Sequence, residues 1–286
     1  MRYGQLLLCL GSEPRRLEIP GAALAGIHYM RTLDDVNAIR PHCRPGARLI
    51  VVGGGYIGLE TAATARKLCM EVTVLEAAGR VMSRVAAEQT SAFFEAEHAR
   101  QGVHIHCNTA VSAFEGDTAV RAVLTADGRR LPADVVVVGA GILPCSTLAQ
   151  AAGIACDNGI VVDAYGRTNI QDIFAAGDCT HFPSARYGRG VRLESVDNAF
   201  EQARAAASTM AGKPLKHDKL PWFLSDQYDL KLMIAGLSTG HDQAVLRGNP
   251  DTRAFSVLYL RQGELIAIDA VNSPQDYMAA RKLIGE

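Results

Sequence analysis

The pattern of hydrophobic residues predicts a chain built around one buried strand and the helix that follows it. Leu49 to Val52 are four consecutive apolar residues, the pattern of a strand buried on both faces. A helix is expected from about Tyr56 to Leu68, because apolar residues recur there at helical spacing. A second apolar strand, Val72 to Leu75, follows. This order of strand, helix and strand is typical of a parallel sheet.

Shorter strands are predicted after this unit. Alternating apolar and polar residues from Ala110 to Leu131, divided by Gly116-Asp117 and Asp127-Gly128, predict an antiparallel meander. The apolar run Ala133 to Val138 then predicts another buried strand. The two parts together are expected to form one compact unit.

The segments before and after this unit are predicted to contain further strands and helices. Tyr3 to Gly11 has the pattern of a core strand, and a long helix is expected from Ser195 to Met210. Four apolar runs between Leu230 and Asp269 are joined by Asp, Gly and Asn turns, and a final helix begins at Pro274. We therefore expect a separate α+β region at the C-terminus.

Composition and charge exclude several classes of protein. The 286 residues are 48% hydrophobic and 21% charged, as in an ordinary folded protein. Because 29 Lys and Arg residues face 30 Asp and Glu residues, no overall charge favours nucleic acid or an anionic membrane as a partner. No apolar run approaches the length of a spanning helix, so the cytoplasm is the expected location. The 7 cysteines and 8 histidines show no metal-ligand spacing, and no metal site is expected.

Three glycines after the first strand indicate a dinucleotide. Gly53, Gly55 and Gly58 have the G-x-G-x-x-G spacing, which suits a tight turn, a close approach to pyrophosphate and close packing of helix on strand. The helix N-terminus would offer unpaired N–H groups to the phosphates. Glu76 ends the second strand near the roughly 20-residue spacing expected of a carboxylate that binds an adenosine ribose. A turn that only packs would require all these features to coincide.

Glu76 also predicts the choice of nucleotide. Its carboxylate would face the 2′-phosphate of NADPH with like charge, so NADH is expected to bind more tightly. Arg80 is the neighbouring residue that could reverse this preference.

Four motifs resemble one family along nearly the whole chain. They are Leu49 to Glu76, TNIQDIFAAGD, VRLESVDNAFEQARAAASTMAGK and PWFLSDQY. Together they resemble the FAD-dependent NADH:ferredoxin reductases of bacterial oxygenase systems. The resemblance implies an α/β fold: a Rossmann-like NAD-binding domain with an antiparallel meander, a partial FAD-binding domain and a C-terminal α+β domain. It also implies hydride transfer from NADH to FAD, followed by electron transfer to a small iron–sulfur ferredoxin.

The resemblance assigns residues to both cofactors. Those implied for NADH are Gly53, Gly55, Tyr56, Ile57, Gly58, Glu60, Glu76, Gly139 and Gly141, with Glu60 near the nicotinamide. Those implied for FAD are Gly11, Arg15, Gly177, Asp178, Val196 and Trp222, with Asp178 at the ribityl chain. Leu224 stands where close relatives have a second Trp. No general acid or base is implied, because the cofactors carry the chemistry.

The resemblance also divides the chain and leaves one part of the family out. Residues 1–22 would be a remnant of the FAD-binding domain, 23–146 the NAD-binding domain, 147–218 the second part of the FAD-binding domain and 219–286 the C-terminal domain. The sequence begins after the family's glycine-rich FAD turn. We therefore expect this chain as written to bind FAD weakly or not at all, and an inactive truncated form is one alternative.

Two other functions stay open at this point. One is a related flavin enzyme that reduces a disulfide or a peroxide, and the other is a catalytically silent NAD-binding module.

The resemblance also implies an acidic [2Fe-2S] ferredoxin as the partner. Residues 181–192 are predicted to be an exposed loop that carries Arg186, Arg189 and Arg192 without an acid. This loop is the expected docking site. The alternative is a solvated loop, or an arginine that pairs with Glu194.

Overall fold

The computed structural model describes residues 3–285. The strands are β1 (Leu6–Leu8), β2 (Ser12–Pro14), β3 (Ile27–His28), β4 (Arg48–Val52), β5 (Glu71–Leu75), β6 (Val103–His106), β7 (Val111–Gly116), β8 (Val120–Thr125), β9 (Arg130–Pro132), β10 (Val135–Val138), β11 (Ile142–Pro144), β12 (Ile160–Val161), β13 (Ile173–Ala175), β14 (Thr180–Ser184), β15 (Arg189–Val191), β16 (Trp222–Gln227), β17 (Leu230–Gly236), β18 (Gln243–Asn249), β19 (Ala254–Arg261) and β20 (Glu264–Val271). The α-helices are α1 (Leu33–Ile39), α2 (Tyr56–Lys67), α3 (Glu88–Arg100), α4 (Thr147–Ala151), α5 (Val196–Met210) and α6 (Pro274–Gly285).

These elements group into two compact units. The first contains the segment that ends at Glu13 and the segment Ile142–Phe223, and the second contains Pro14–Gly141 and Leu224–Ile284. These compact units divide the chain after residues 13, 141 and 223. The functional domain borders after residues 22, 146 and 218 stay a prediction. The regions predicted as the NAD-binding and C-terminal domains share the second unit.

A five-stranded parallel sheet forms the centre of the second unit, in the order β3-β10-β4-β5-β6. The helices α2 and α3 connect β4 to β5 and β5 to β6, which is the predicted alternation of strand and helix. Thr32 caps α1 and forms a capping box with Asp35, as is typical of an S/T-x-x-[DE] sequence. The α/β fold class is thus confirmed.

The central strands are buried on both faces, as the apolar run at Leu49 predicts. Leu49 and Val51 pack with Ala62 and Ala65 of α2 on one face of the sheet. Ile50 and Val52 pack on the other face with residues of the meander such as Phe114. Because successive side chains of a strand point to opposite faces, one run of apolar residues supplies both cores.

The meander and the C-terminal sheet are antiparallel. Strands β7, β8 and β9 pair in sequence order as expected. The C-terminal sheet has the order β16-β17-β20-β19-β18 and is followed by α6. Its first strand, Trp222–Gln227, was not predicted as a strand. Among residues 3–285, no helix is long and apolar enough to cross a lipid bilayer.

The first unit contains several small sheets and the long helix α5. Strand β1 pairs in parallel with β13, joining Leu6 to Ile173, which gives the N-terminal strand its partner. The segment 181–192 is not a loop, and that prediction was wrong. Strands β14 and β15 form an antiparallel hairpin there, with Phe182 opposite Val191. Both of these residues are buried, so the hairpin is anchored although Pro183 and two glycines suggested a loop.

Candidate functional site

The turn after β4 is closed by backbone contacts that only glycine permits. Gly53 has φ +106°, and a Cβ there would lie 2.4 Å from the carbonyl oxygen of Gly139. A Cβ on Gly58 would lie 2.0 Å from the carbonyl oxygen of Gly53. The first and third glycines of the motif therefore act as predicted, in a tight turn and in helix-to-strand packing.

The second glycine of the motif opens the turn outward. Gly55 is the N-cap of α2 with φ −78°, and no side chain caps the helix there. A Cβ on Gly55 would meet no atom within 4 Å. An uncapped helix N-terminus with open space before it suits a phosphate group, because N–H groups and the helix dipole both favour an anion.

Glu76 is held beside this turn by backbone N–H groups. Gly54 donates to its Oε2 at 2.6 Å, and Ala78 donates to its Oε1 at 2.7 Å. A Cβ on Gly54 would lie 3.2 Å from Oε2 and 2.9 Å from the Val81 side chain, so a methyl group there would crowd both side chains. The carboxylate is thus fixed at the carboxyl end of β5, where a ribose hydroxyl could donate to its remaining lone pairs.

Two arginines lie near Glu76 and Gly141. Arg80 donates to the carbonyl oxygens of Ala86 and Ser83 at 2.8 and 3.1 Å and to the Ser91 hydroxyl at 2.5 Å. Its guanidinium therefore holds together the segment before α3 and the first turn of that helix. Arg84 is exposed, and its Nη2 lies 3.6 Å from the position of a Cβ on Gly141.

Glu60 lies one turn into α2 and contacts the C-terminal sheet. The Ser225 hydroxyl of β16 donates to its Oε1 at 2.6 Å. Burial raises the pKa of the Glu60 carboxyl, the Ser225 hydrogen bond opposes this rise, and the Asp226 carboxylate adds to it. Burial also raises the pKa of the Tyr56 phenol well above its ordinary value, with smaller contributions from Asp269 and Glu60.

Three further residues predicted to bind NADH lie after β10 and on α2. Gly139 directly follows β10, and its N–H donates to the carbonyl oxygen of Val52 at 2.7 Å. Gly141 has φ +92°. Ile57 is 51% exposed. The buried residues of α2 include Leu59, Ala62 and Ala63.

A second carboxylate site lies in the first unit. The Ser12 hydroxyl donates to Asp178 Oδ2 at 2.9 Å. Both residues follow strands that pair in parallel, β1 and β13, so they lie at the same carboxyl edge. Gly177 has φ +87°, and its N–H donates to Gln202 Oε1 of α5 at 2.8 Å. A carboxylate at such an edge suits a ligand hydroxyl, and these residues fit the ribityl chain of a flavin.

The remaining residues predicted for FAD are spread over both units. Gly11 has φ +66°, and its carbonyl oxygen accepts from the Cys145 N–H at 3.0 Å. Val196 begins α5 and is 88% exposed. Arg15 belongs to the second unit, where its side chain is exposed and its N–H donates to the Gly141 carbonyl oxygen. Trp222 begins β16 and is half-buried.

The three arginines of the hairpin differ in exposure. Arg192 is 13% exposed in its side chain and pairs with Glu194 at 2.5 Å. Arg186 is half-buried, and Arg189 is exposed. Arg189 makes no ion pair with any residue from 3 to 285.

Sequence reasoning missed several residues of these sites. Gly54 had a signal, since it is the middle residue of a run of three glycines. Ser12, Ser225 and Gln202 had none, because each acts on a residue far away in the sequence; Ser225 and Glu60 are 165 positions apart.

Comparisons with known proteins agree with this geometry. Residues 1–203 match the family described as pyridine nucleotide-disulphide oxidoreductase, and residues 222–286 match the reductase C-terminal family. The chain is 46% identical over 285 residues to the ferredoxin reductase subunit of 5,5'-dehydrodivanillate O-demethylase from Sphingobium sp., covering 99% of this chain and 69% of that protein. It is 45% identical over 288 residues to putidaredoxin reductase of Pseudomonas putida, covering 99% of this chain and 68% of that protein.

A solved structure is similar over the same length. The putidaredoxin reductase chain in its covalent complex with putidaredoxin matches with a TM-score of 0.96 and 45% identity, covering 99% of this chain and 69% of that chain. The chain therefore belongs to the pyridine nucleotide-disulphide oxidoreductase family, in the group of ferredoxin reductases of oxygenase systems.

Proposed function

We propose that this protein passes electrons from NADH through FAD to a small [2Fe-2S] ferredoxin that serves an oxygenase. The observation that carries the proposal is the pairing of an uncapped N-terminus of α2 with a Glu76 carboxylate already fixed by two backbone N–H groups. The names of the similar proteins support the ferredoxin as acceptor. They do not favour the disulfide or peroxide reductase alternative.

The residues around α2 would bind and orient NADH. The pyrophosphate would lie at Gly55 and the helix N-terminus, and the adenosine ribose would donate to Glu76. The segment before α3 engages three of the five N–H groups of Arg80, which leaves fewer of them for a 2′-phosphate. This arrangement favours NADH over NADPH.

The opposite end of NADH would extend toward Glu60, Gly139 and Gly141. In an open α/β sheet a ligand lies across the crevice where the connections diverge, here between β4 and β10. With adenosine on the β5 side, the nicotinamide falls on the β10 side. Arg84 lies beside Gly141 and offers a positive charge to the dinucleotide.

The residues of the first unit would hold FAD. Asp178, oriented by Ser12, would accept from a ribityl hydroxyl. Gly11 and Gly177 are the chain neighbours of Ser12 and Asp178, and Gly177 donates to Gln202 of α5, the helix that begins at Val196. Bound FAD would supply the chemistry, accepting a hydride from NADH and releasing single electrons to the ferredoxin. The protein's own part is to bind, orient and exclude water.

The β14–β15 hairpin would receive the ferredoxin. Arg189 is exposed and makes no ion pair with any residue from 3 to 285, and Arg186 is half-buried beside it in the hairpin. Arg192 is engaged by Glu194. Exposed charges act mainly on the rate of encounter and are screened beyond about 10 Å at 0.1 M salt. Docking at this hairpin is therefore expected to weaken as salt is added.

The direct test is ferredoxin-dependent electron transfer. Because this chain is expected to bind FAD weakly, FAD is supplied in excess. With NADH the protein should then reduce an added [2Fe-2S] ferredoxin, which is measured by the loss of the ferredoxin's visible absorbance. If ferricyanide is reduced but several acidic ferredoxins are not, the proposed acceptor is wrong.

Charge reversal tests the docking surface. Arg189→Glu should lower kcat/KM for the ferredoxin at low salt about tenfold and leave NADH-driven reduction of ferricyanide unchanged, because ferricyanide needs no protein docking. Arg261→Glu, on the C-terminal sheet, is the charge-matched control. An equal loss with both acceptors would assign Arg189 to the flavin site or the fold.

A further inference from the structure

Five side chains form a continuous hydrogen-bonded chain that ends at Glu60. Tyr228 Oη lies 3.0 Å from His98 Nδ1, and His98 Nε2 lies 2.8 Å from Gln227 Oε1. Gln227 Nε2 donates to Ser225 Oγ at 3.2 Å, and Ser225 donates to Glu60 Oε1 at 2.6 Å. The chain joins α3, β16 and α2 within one compact unit.

When Glu60 is ionised it can only accept, so Ser225 donates to it and the donors and acceptors of this chain fit one direction. Because the Gln227 amide nitrogen donates to Ser225, its oxygen faces His98 and accepts from Nε2–H. His98 Nδ1 is then the acceptor for the Tyr228 hydroxyl. Burial lowers the pKa of His98, which favours the neutral imidazole that this pattern requires. Every hydrogen therefore points along the chain toward Glu60.

Burial makes this arrangement specific. Ser225 is 3% exposed, and Gln227 and His98 are 0% exposed. Without water as an alternative partner, each of these groups would leave a neighbour unsatisfied if it rotated away. The Ser225 hydroxyl is thus held in the rotamer that donates to Glu60.

We propose that Ser225 is a positioning residue for the nicotinamide end of NADH: it orients the Glu60 carboxylate, and Gln227, His98 and Tyr228 hold Ser225 in place. The proposal rests on the placement of Glu60 near the nicotinamide under the proposed function. It makes the C-terminal domain part of the NADH site, since Ser225 and Gln227 both belong to residues 222–286.

The charges around Glu60 determine what the loss of Ser225 does. The Asp226 carboxylate of β16 repels the Glu60 carboxylate. The Tyr56 phenol at the start of the same helix is influenced by Glu60 and by Asp269 of β20. Burial and Asp226 raise the pKa of Glu60, and the Ser225 hydroxyl lowers it by stabilising the carboxylate. Removing that hydroxyl should raise this pKa further.

The test compares NAD+ with NADH binding to this chain across a pH range. An ionised Glu60 attracts the cationic nicotinamide of NAD+ and not the neutral ring of NADH, so the ratio Kd(NAD+)/Kd(NADH) should rise as the pH falls through the Glu60 pKa. Effects on the shared pyrophosphate and adenosine cancel in the ratio. Glu60→Gln should make the ratio independent of pH.

Ser225→Ala should move the midpoint upward by about 1 pH unit, since a hydrogen bond to a charged group is lost. Ser225→Thr, which keeps the hydroxyl, should restore the original midpoint. Ser256→Ala is the matched control, because Ser256 is equally buried in the same sheet and donates to Asp276 at 2.9 Å instead.

A second measurement separates this proposal from the proposed function. The pKa of Glu60 can be read directly from the 13C shift of its side-chain carboxyl, assigned with Glu60→Gln. An unchanged Glu60 pKa in Ser225→Ala would overturn the positioning role of Ser225. A raised pKa, with a binding ratio that Glu60→Gln does not alter, would overturn the placement of Glu60 at the nicotinamide.

Discussion

Two glutamates flank the first turn of α2, and they are held in different ways. Glu76 is fixed by N–H groups of Gly54 and Ala78, which belong to the turn and the strand end beside it. Glu60 is fixed by the side chain of Ser225, 165 residues away. A backbone N–H donor belongs to the main chain and not to a particular side chain, whereas a hydroxyl donor is lost with a single substitution. The proposed adenosine end of the site is thus built locally, and the proposed nicotinamide end depends on a distant segment.

The largest effect is expected from a substitution in the glycine turn beside Glu76. Gly58→Ala would place a Cβ 2.0 Å from the Gly53 carbonyl oxygen, so either the helix or the turn must move. We expect a loss of stability of about 1–3 kcal/mol and NADH binding too weak to measure. Thermal unfolding and NADH fluorescence titration measure the two effects.

Gly55→Ala is the matched control for that variant. Its Cβ would meet no protein atom within 4 Å, so the unfolding temperature should fall much less than in Gly58→Ala. NADH binding should still fall, because the methyl group would occupy the approach of the pyrophosphate. Full NADH affinity in Gly55→Ala would place the phosphates elsewhere.

A smaller effect is expected from the acid itself. Glu76→Ala should weaken NADH binding about 10- to 100-fold, since a hydrogen bond to a charged group is lost. NADPH binding should change less, because the variant also removes a like charge. Glu71→Ala, at the exposed start of the same strand, is the control. NADPH binding as tight as NADH binding in the unaltered protein would contradict the assignment of Glu76.

The smallest expected effect is the coupling between Glu76 and Ser225, and it tests most directly whether the two ends of the site are independent. Glu76 and Ser225 share no hydrogen-bond partner, so Glu76→Ala and Ser225→Ala should weaken NAD+ binding additively, within about 0.5 kcal/mol. Glu60→Gln and Ser225→Ala act on one contact and should not be additive. A strong coupling between Glu76 and Ser225 would mean that the two ends of the site are not independent.

The sequence was sufficient for features whose signals are local. A run of four apolar residues at Leu49 predicts a strand with two buried faces, and Glu76 is found by its spacing from the glycines. The N-cap at Thr32 is also readable, because its partner Asp35 is three positions away. In each case the interacting groups are close together in the sequence, either in the same turn or in a strand and the helix next to it.

Features that depend on distant partners could not be predicted in this way. The proline and glycines of residues 181–192 are loop signals and predict a loop there. The hairpin forms because Phe182 and Val191 are buried by parts of the chain far away in the sequence. Ser225 looks like any polar residue of a strand. Nothing near it in the sequence shows that it lies against Glu60.

The hydrogen bond between Ser225 and Glu60 limits how freely this gene can be recombined. Residues 1–203 and 222–286 match separate families, so the segment between them looks like a suitable point at which to exchange the C-terminal part. An exchange there would remove Ser225 and Gln227 and leave Glu60 and His98 without their partners. A working hybrid would need its own hydrogen-bond donor for Glu60. Residues 1–203 and 222–286 should therefore be exchanged together and not separately.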